Sequence, residues 1–174
     1  MAAKTEQLSH KRPDMQEALS PKAAHVQRIL RELGYEIVVV EHSEPTRTAE
    51  EAARRAGCSI GQIVKSLIFR GTATGKPVLV FTSGANRVDE KRMSGNAGES
   101  LERANPDFVR IATGYPIGAV PPVGHPQPIE SYLDEDLLQF DTVWASGGSE
   151  SAIFPLEPGA LQAITRAKVV RVRA

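Results

Sequence analysis

Ile63-Val64-Lys65-Ser66-Leu67-Ile68-Phe69-Arg70, then Gly71-Thr72-Ala73-Thr74-Gly75-Lys76-Pro77, then Val78-Leu79-Val80-Phe81 is the stretch that decides the fold. The first run is β-rich with polar positions interleaved, Gly71 to Gly75 forms a turn, and Val78 to Phe81 is short and apolar, so the stretch predicts a β-hairpin. Strand alternation puts Ile63, Lys65, Leu67 and Phe69 on one face and Val64, Ser66, Ile68 and Arg70 on the other. Lys65 therefore shares its face with three apolar residues. Such a lysine either reaches past the sheet edge to water or stays inside, where desolvation lowers its pKa and an anionic partner such as phosphate becomes favourable.

Upstream of the hairpin, Ser20-Pro21 is an N-cap with proline at the first helical position, and Val26, Ile29, Leu30 and Leu33 follow on one face up to Gly34. This predicts a helix. Ile37 to Val40 is β-branched and predicts a strand, and Thr48 N-caps a second helix with acids in its first turn. Downstream, short helices are expected near Asp89 to Met93 and Glu99 to Ala104, and a strand around Phe108 to Ile111. After a loop, the expected elements are a strand over Ile129 to Leu133, a helical turn at Asp134 to Leu138 and strands over Thr142 to Ala145 and Ala152 to Phe154. A helix over Pro158 to Thr165 and a strand over Val169 to Val172 close the chain. Hairpins mixed with helices imply a single α/β domain of mixed α+β type, with a curved, mostly antiparallel mixed sheet approaching a barrel and helices packed outside.

The 174 residues suffice for one domain with its own core. Residues 1 to 20 carry no apolar stretch of a secretory signal and are expected to be a flexible tail, leaving residues 21 to 174 as the domain. No apolar run approaches the roughly 20 residues that span a bilayer, so a soluble, cytoplasmic protein is expected. Twenty-one basic and twenty-one acidic side chains cancel, which argues against DNA binding or any broad contact with a phosphate backbone; nucleic-acid contact should be small and local. The four histidines, His10, His25, His42 and His125, have no paired spacing and only Cys58 to join them, so neither a metal nor another cofactor is expected. Cys58, at a helix end, reads as a small buried hydrophobe.

The segment Gly114 to Pro128 is too rich in glycine and proline for helix or interior strand, yet lies between regular elements, a setting in which ordered loops are often functional. Its glycines allow close backbone approach and its prolines fix φ. The N–H groups of Gly118, Ala119 and Val120 are its available donors, and the proline carbonyls remain as acceptors. A rigid crossover between sheet halves is the purely structural alternative. His125 is a general base by residue type but has no carboxylate or hydroxyl partner at a recognisable spacing, and no serine sits in a G-x-S-x-G elbow. Side-chain nucleophilic catalysis is not supported.

Val64-Lys65-Ser66-Leu67, Arg87-Val88-Asp89, Gly114-Tyr115 leading into Gly118-Ala119-Val120-Pro121-Pro122, and Ala145-Ser146-Gly147-Gly148 occur in an order that resembles the YbaK family. Its members are freestanding relatives of the editing domain inserted in bacterial prolyl-tRNA synthetases. The resemblance covers residues 25 to 172. It implies a hydrolase that removes wrongly attached amino acids from tRNA, with the family's lysine at Lys65, its hydroxyl-bearing neighbour at Ser66 and its G-x-x-x-P motif at Gly118 to Pro122. Lys65, Gly118 and Pro122 are then the catalytic candidates. Thr48, Ser66, Ala119, Val120, His125, Ser146, Gly147 and Gly148 are the substrate-binding ones. Pro121 departs from the family pattern, where a small residue is more usual.

Hydrolysis of an activated aminoacyl ester needs chiefly a placed water and donors for the developing oxyanion, which fits the absence of a nucleophile. Arg87, Lys91 and Arg92 are candidate contacts for the acceptor end of tRNA, and a synthetase or elongation factor is the expected delivery partner. The reading of another class is a non-catalytic module binding an aminoacyl-adenosine, a nucleotide or a synthetase.

Overall fold

The computed structural model describes residues 18–174. The expected tail falls on residues 1–17, outside them, except for its last residues. Ser20 belongs to the fold: it caps helix α1 (Pro21–Glu32), and its N–H and Oγ donate to Glu41 at 2.6 and 2.8 Å.

Strands β2 (Val64–Gly71) and β3 (Pro77–Ser83) form the expected hairpin, in a register that pairs Lys65 with Thr82. Around them a five-stranded sheet runs in the order β4-β2-β3-β5-β8, where β4 is Leu101–Arg103, β5 Glu130–Asp134 and β8 Lys168–Val170. β3, β5 and β8 are parallel neighbours, and the pairs on the other side are antiparallel. A second, three-stranded antiparallel sheet has the order β1-β7-β6, from β1 (Val40–Glu41), β6 (Val143–Ser146) and β7 (Ala152–Leu156). A single parallel bridge between Ile63 and Trp144 joins the sheets. Among the described residues the expected single curved sheet is therefore two sheets, and no barrel closes.

Central strands buried on both sides explain the apolar content of the hairpin. Val64, Ile68, Leu79 and Phe81 enter the main core with α1 and β7, while Phe69, Val78 and Val80 enter a second cluster beneath α3 (Glu90–Ala97). Full burial of each large side chain contributes about 1.5–3 kcal/mol.

Three expectations fail for identifiable reasons. Of Ile37 to Val40 only Val40 joins a strand, because the buried Gln27 amide takes the neighbouring backbone groups, donating to Ile37 O at 2.6 Å and accepting from Val39 N at 2.8 Å. The helix expected over Glu99 to Ala104 is strand β4, which pairs with β2 from Leu101 to Arg103. Gly98, left-handed at φ 77°, ends α3 just before it, and the Glu99 carboxylate is held by the β2–β3 turn through Thr74 and the N–H of Ala73. The strand expected at Phe108 to Ile111 is helix α4 (Pro106–Thr113), started by Asn105, whose side chain accepts from Phe108 N at 2.8 Å, and by proline in its first turn, and ended by left-handed Gly114. The caps outweigh the β-branched run, which leaves Ile111 80% exposed. Helices α2 (Ala49–Ala56) and α5 (Pro158–Thr165) lie where expected. Among the described residues no helix is long and apolar enough to cross a membrane.

Candidate active site

A cleft of about 260 Å³ opens where the start of β2, the N-terminal end of α2, the turn at Ile117 to Val120 and the β6–β7 hairpin meet. Each wall follows from local sequence. Thr48 caps α2 by accepting from Glu51 N, and so presents Thr46 to Ala49 to the cleft. Pro116, Ile117, Gly118 and Ala119 form a β-turn closed by Ala119 N donating to Pro116 O at 3.0 Å, with Gly118 at φ 86° in the position that requires a positive φ. Glycine at the third residue is the sequence signal for this shape.

Six of the candidates named from sequence line this cleft together: Thr48, Lys65, Ser66, Gly118, Val120 and Ser146. Lys65 is half-buried, and its Nζ donates to the backbone carbonyl of Asn86 at 2.8 Å. Burial pulls its pKa below the ordinary lysine value; the Glu50 carboxylate opposes that shift, Arg103 reinforces it and Asp134 opposes it. Ser66 also lines the cleft, and its Oγ is buried with no hydrogen-bond partner among the described residues. The N–H groups of Gly118 and Val120 have no acceptor among the described residues.

Other candidates lie elsewhere. Ala119 is fully buried and its N–H is spent on the turn, so the set of three free donors expected from sequence shrinks to two. Pro122 and His125 line a separate groove against Ile29 and Leu33. His125 Nε2 donates to Pro121 O at 2.7 Å, and burial lowers the pKa of its ring, so this histidine ties the loop together outside the cleft. Gly147 and Gly148 are packing glycines. A Cβ on Gly147 would stand 2.8 Å from Val39 Cγ1, and one on Gly148, at φ 99°, would stand 3.1 Å from both Tyr115 and Val26. Arg87, Lys91 and Arg92 are exposed and outside the cleft lining, although Arg87 directly follows the Asn86 that holds Lys65.

Residues that the sequence reading missed include Arg47, Trp144 and Glu150 at the cleft, and the fully buried Asp134 behind it. An aspartate closing an otherwise buried strand was the one available signal for Asp134. Cys58 is partly buried beside Ala52 and Ile63, and burial raises its pKa, which leaves the thiol unactivated. Among the described residues no cluster of three or more His, Cys, Asp or Glu side chains is arranged to hold a metal ion.

The cleft brings together the Lys65 ammonium, the Arg47 and Glu150 side chains, two backbone N–H groups without a partner among the described residues and the Ser66 hydroxyl, between walls whose area is mostly apolar. This is a set for binding and polarising a ligand rather than attacking it covalently.

Residues 43–164 match the aminoacyl-tRNA editing domain. The chain is 34% identical over 131 residues to the uncharacterized protein YwhH of Bacillus subtilis (strain 168), covering 75% of this chain and 83% of that protein. It is 32% identical over 105 residues to the proline–tRNA ligase of Nitratidesulfovibrio vulgaris (strain DP4), covering 60% of this chain and only 18% of the ligase. A solved structure described as a candidate trans-editing enzyme for prolyl tRNA synthetase superposes with a TM-score of 0.85 at 46% identity, over 90% of this chain and 99% of that one. The match over most of the chain, to a fold whose cleft gathers the residues singled out above, places this protein in the aminoacyl-tRNA editing domain family.

Proposed function

We propose that this chain hydrolyses the ester of wrongly charged aminoacyl-tRNA as a free-standing editing enzyme. The observation that carries the reading is the convergence of Lys65 and the Gly118 turn on one cleft whose remaining walls are mainly apolar. In this scheme the Lys65 ammonium holds the phosphate or ribose of the terminal adenosine. The free N–H groups of Gly118 and Val120 face the ester carbonyl and take up charge as water adds to it, while the amino-acid side chain rests against the apolar wall. A ribose hydroxyl of the substrate assists the water. The ester carbonyl carbon gains the water oxygen, the bond to the ribose oxygen breaks, and that oxygen leaves with a proton.

The acceptor end of aminoacyl-tRNA is the proposed partner, consistent with the family and with a net charge of zero that disfavours extensive backbone contact. Weak unaided binding makes delivery by a synthetase or elongation factor part of the proposal, and translation in the cytoplasm its setting. The test is release of labelled amino acid from a panel of mischarged tRNAs, with and without added synthetase. Release that is fast with the native chain and falls at least about 10-fold with Lys65→Ala supports the reading. No release above the spontaneous rate from any member refutes it and favours a non-catalytic module, which would still bind a hydrolysis-resistant aminoacyl-adenosine amide.

A further inference from the structure

Behind the cleft, Lys65 is held by a backbone carbonyl rather than by a carboxylate. Asp134 is close enough to influence it but is already saturated. Its Oδ2 accepts from Thr82 Oγ1 at 3.2 Å, Ser83 N at 3.0 Å and Asn86 Nδ2 at 2.8 Å, and its Oδ1 accepts from Asp136 N at 3.0 Å. Asn86 is fixed on every side. Its side-chain amide donates to both Asp134 and Asp136 at 2.8 Å, its N–H donates to Ser83 O at 2.9 Å, and its carbonyl receives Lys65 Nζ at 2.8 Å. Arg173 Nε closes the outer side on Asp136 at 2.7 Å.

We propose that Asn86 is a positioning residue for Lys65: its amide, clamped between Asp134 and Asp136, fixes the peptide whose carbonyl aims the ammonium into the cleft. The chemistry requires asparagine. An NH₂ group has two protons for two carboxylates; aspartate would add a third negative charge, and an apolar residue would leave both carboxylates, the buried Asp134 among them, short of a donor. A neutral carbonyl also consumes one of the three ammonium protons without cancelling the charge, which stays available to an anionic group of the substrate. A direct ion pair with Asp134 would have neutralised it.

The activity arm of the test rests on the proposed editing reaction, and a second arm does not. In the second, limiting acetic anhydride acetylates the protein, and the Lys65 rate is read by peptide mass spectrometry against the exposed Lys91 and Lys168. Asn86→Ala is expected to raise the relative Lys65 rate several-fold. In the first, single-turnover release from the best mischarged tRNA is expected to fall on the order of 10- to 100-fold in Asn86→Ala, mainly in kcat. It should fall little further when Asn86→Ala is added to Lys65→Ala. Unchanged acetylation, or an Asn86 effect of full size in the absence of Lys65, overturns the proposal. If the native chain releases nothing, the editing reading falls while acetylation still judges the clamp. Should Asn86→Ala lose its cooperative melting, Asp136→Ala, which removes one acceptor near the surface, takes its place with the same expectations.

Discussion

Ala119 N donates to Pro116 O, and by closing that turn it leaves Gly118 left-handed with its own N–H free beside the cleft. A Cβ built on Gly118 meets nothing within 4 Å, so a side chain there strains the backbone and projects into open space without disturbing the core. Gly118→Val is therefore expected to lower kcat/KM for deacylation by about 100-fold or more, the range seen when an oxyanion donor is lost. The melting temperature should fall only by the few degrees that a positive φ costs a β-branched residue. Single-turnover release together with a thermal melt separates the two, and retained activity would remove the turn from the site.

Lys65 is charged below its pKa, and burial sets that pKa lower than an ordinary lysine's against the pull of Glu50 and Asp134. Its hold on an anionic group is thus present at neutral pH and lost as pH rises through the lowered value. After subtraction of spontaneous ester hydrolysis, kcat/KM should decline on the alkaline side before a free lysine would titrate. Lys65→Arg keeps its charge throughout and should shift that limb upward. Its plateau should be lower, because a planar guanidinium does not reproduce the single contact with Asn86 O. Lys65→Ala should lose roughly 10- to 100-fold, the worth of a charged hydrogen bond. An alkaline limb at the same pH in native and Lys65→Arg would assign the titration to another group.

The hairpin, α1, α2 and α5 were legible because their signals are local: a turn between two β-rich runs, Ser20-Pro21 at one helix start, and Thr48 at another. The swap at residues 99–113 shows where locality ends. Leu101 to Arg103 is a strand only because β2 offers it an edge, and Phe108 to Ile111 is helical only because Asn105-Pro106 and Gly114 cap it. The site divides the same way. Lys65 and Gly118 stand out by pattern, whereas Asn86 meets Lys65 across 21 positions of chain and Asp134 meets Asn86 across 48, which no spacing rule contains. Alternation placed Lys65 among apolar neighbours but gave no sign of its acceptor, the carbonyl of Asn86.

Gly147 was a binding candidate by resemblance, but its geometry is that of a close contact: its N–H donates to Ala152 O at 2.7 Å, and a Cβ would overlap Val39 Cγ1 and Ala152 Cβ at 2.8 and 2.9 Å. Gly147→Ala is expected to destabilise by about 1–3 kcal/mol, the usual cost of overpacking. Well below its lowered melting temperature it should keep native kcat/KM per folded molecule. Urea unfolding followed by deacylation in the folded baseline measures both. A stable but inactive variant would return Gly147 to the binding wall.

Glu41 ties the β6–β7 hairpin to the start of α1, accepting from Ser20 N, Ser20 Oγ and, at 2.7 Å, Ser149 Oγ. Burial alone would raise its pKa, but the hydrogen bonds from Ser20 and Ser149 prevail and hold it below the ordinary glutamate value. A folded-state pKa depressed in this way contributes stability above the unfolded-state value and loses it as pH falls through the folded one. Glu41→Gln should therefore be less stable than native at neutral pH, by about 1–2 kcal/mol after solvent screening. The two should converge on acidification, because the protonated native carboxyl accepts no better than the amide. Other depressed carboxylates, Glu99 and Asp136, titrate alike in both proteins and cancel from the difference. Urea midpoints measured from about pH 7 down to about pH 3 give that difference directly; a gap that stays constant through the acid range would show that the charge on Glu41 does not hold the hairpin to α1.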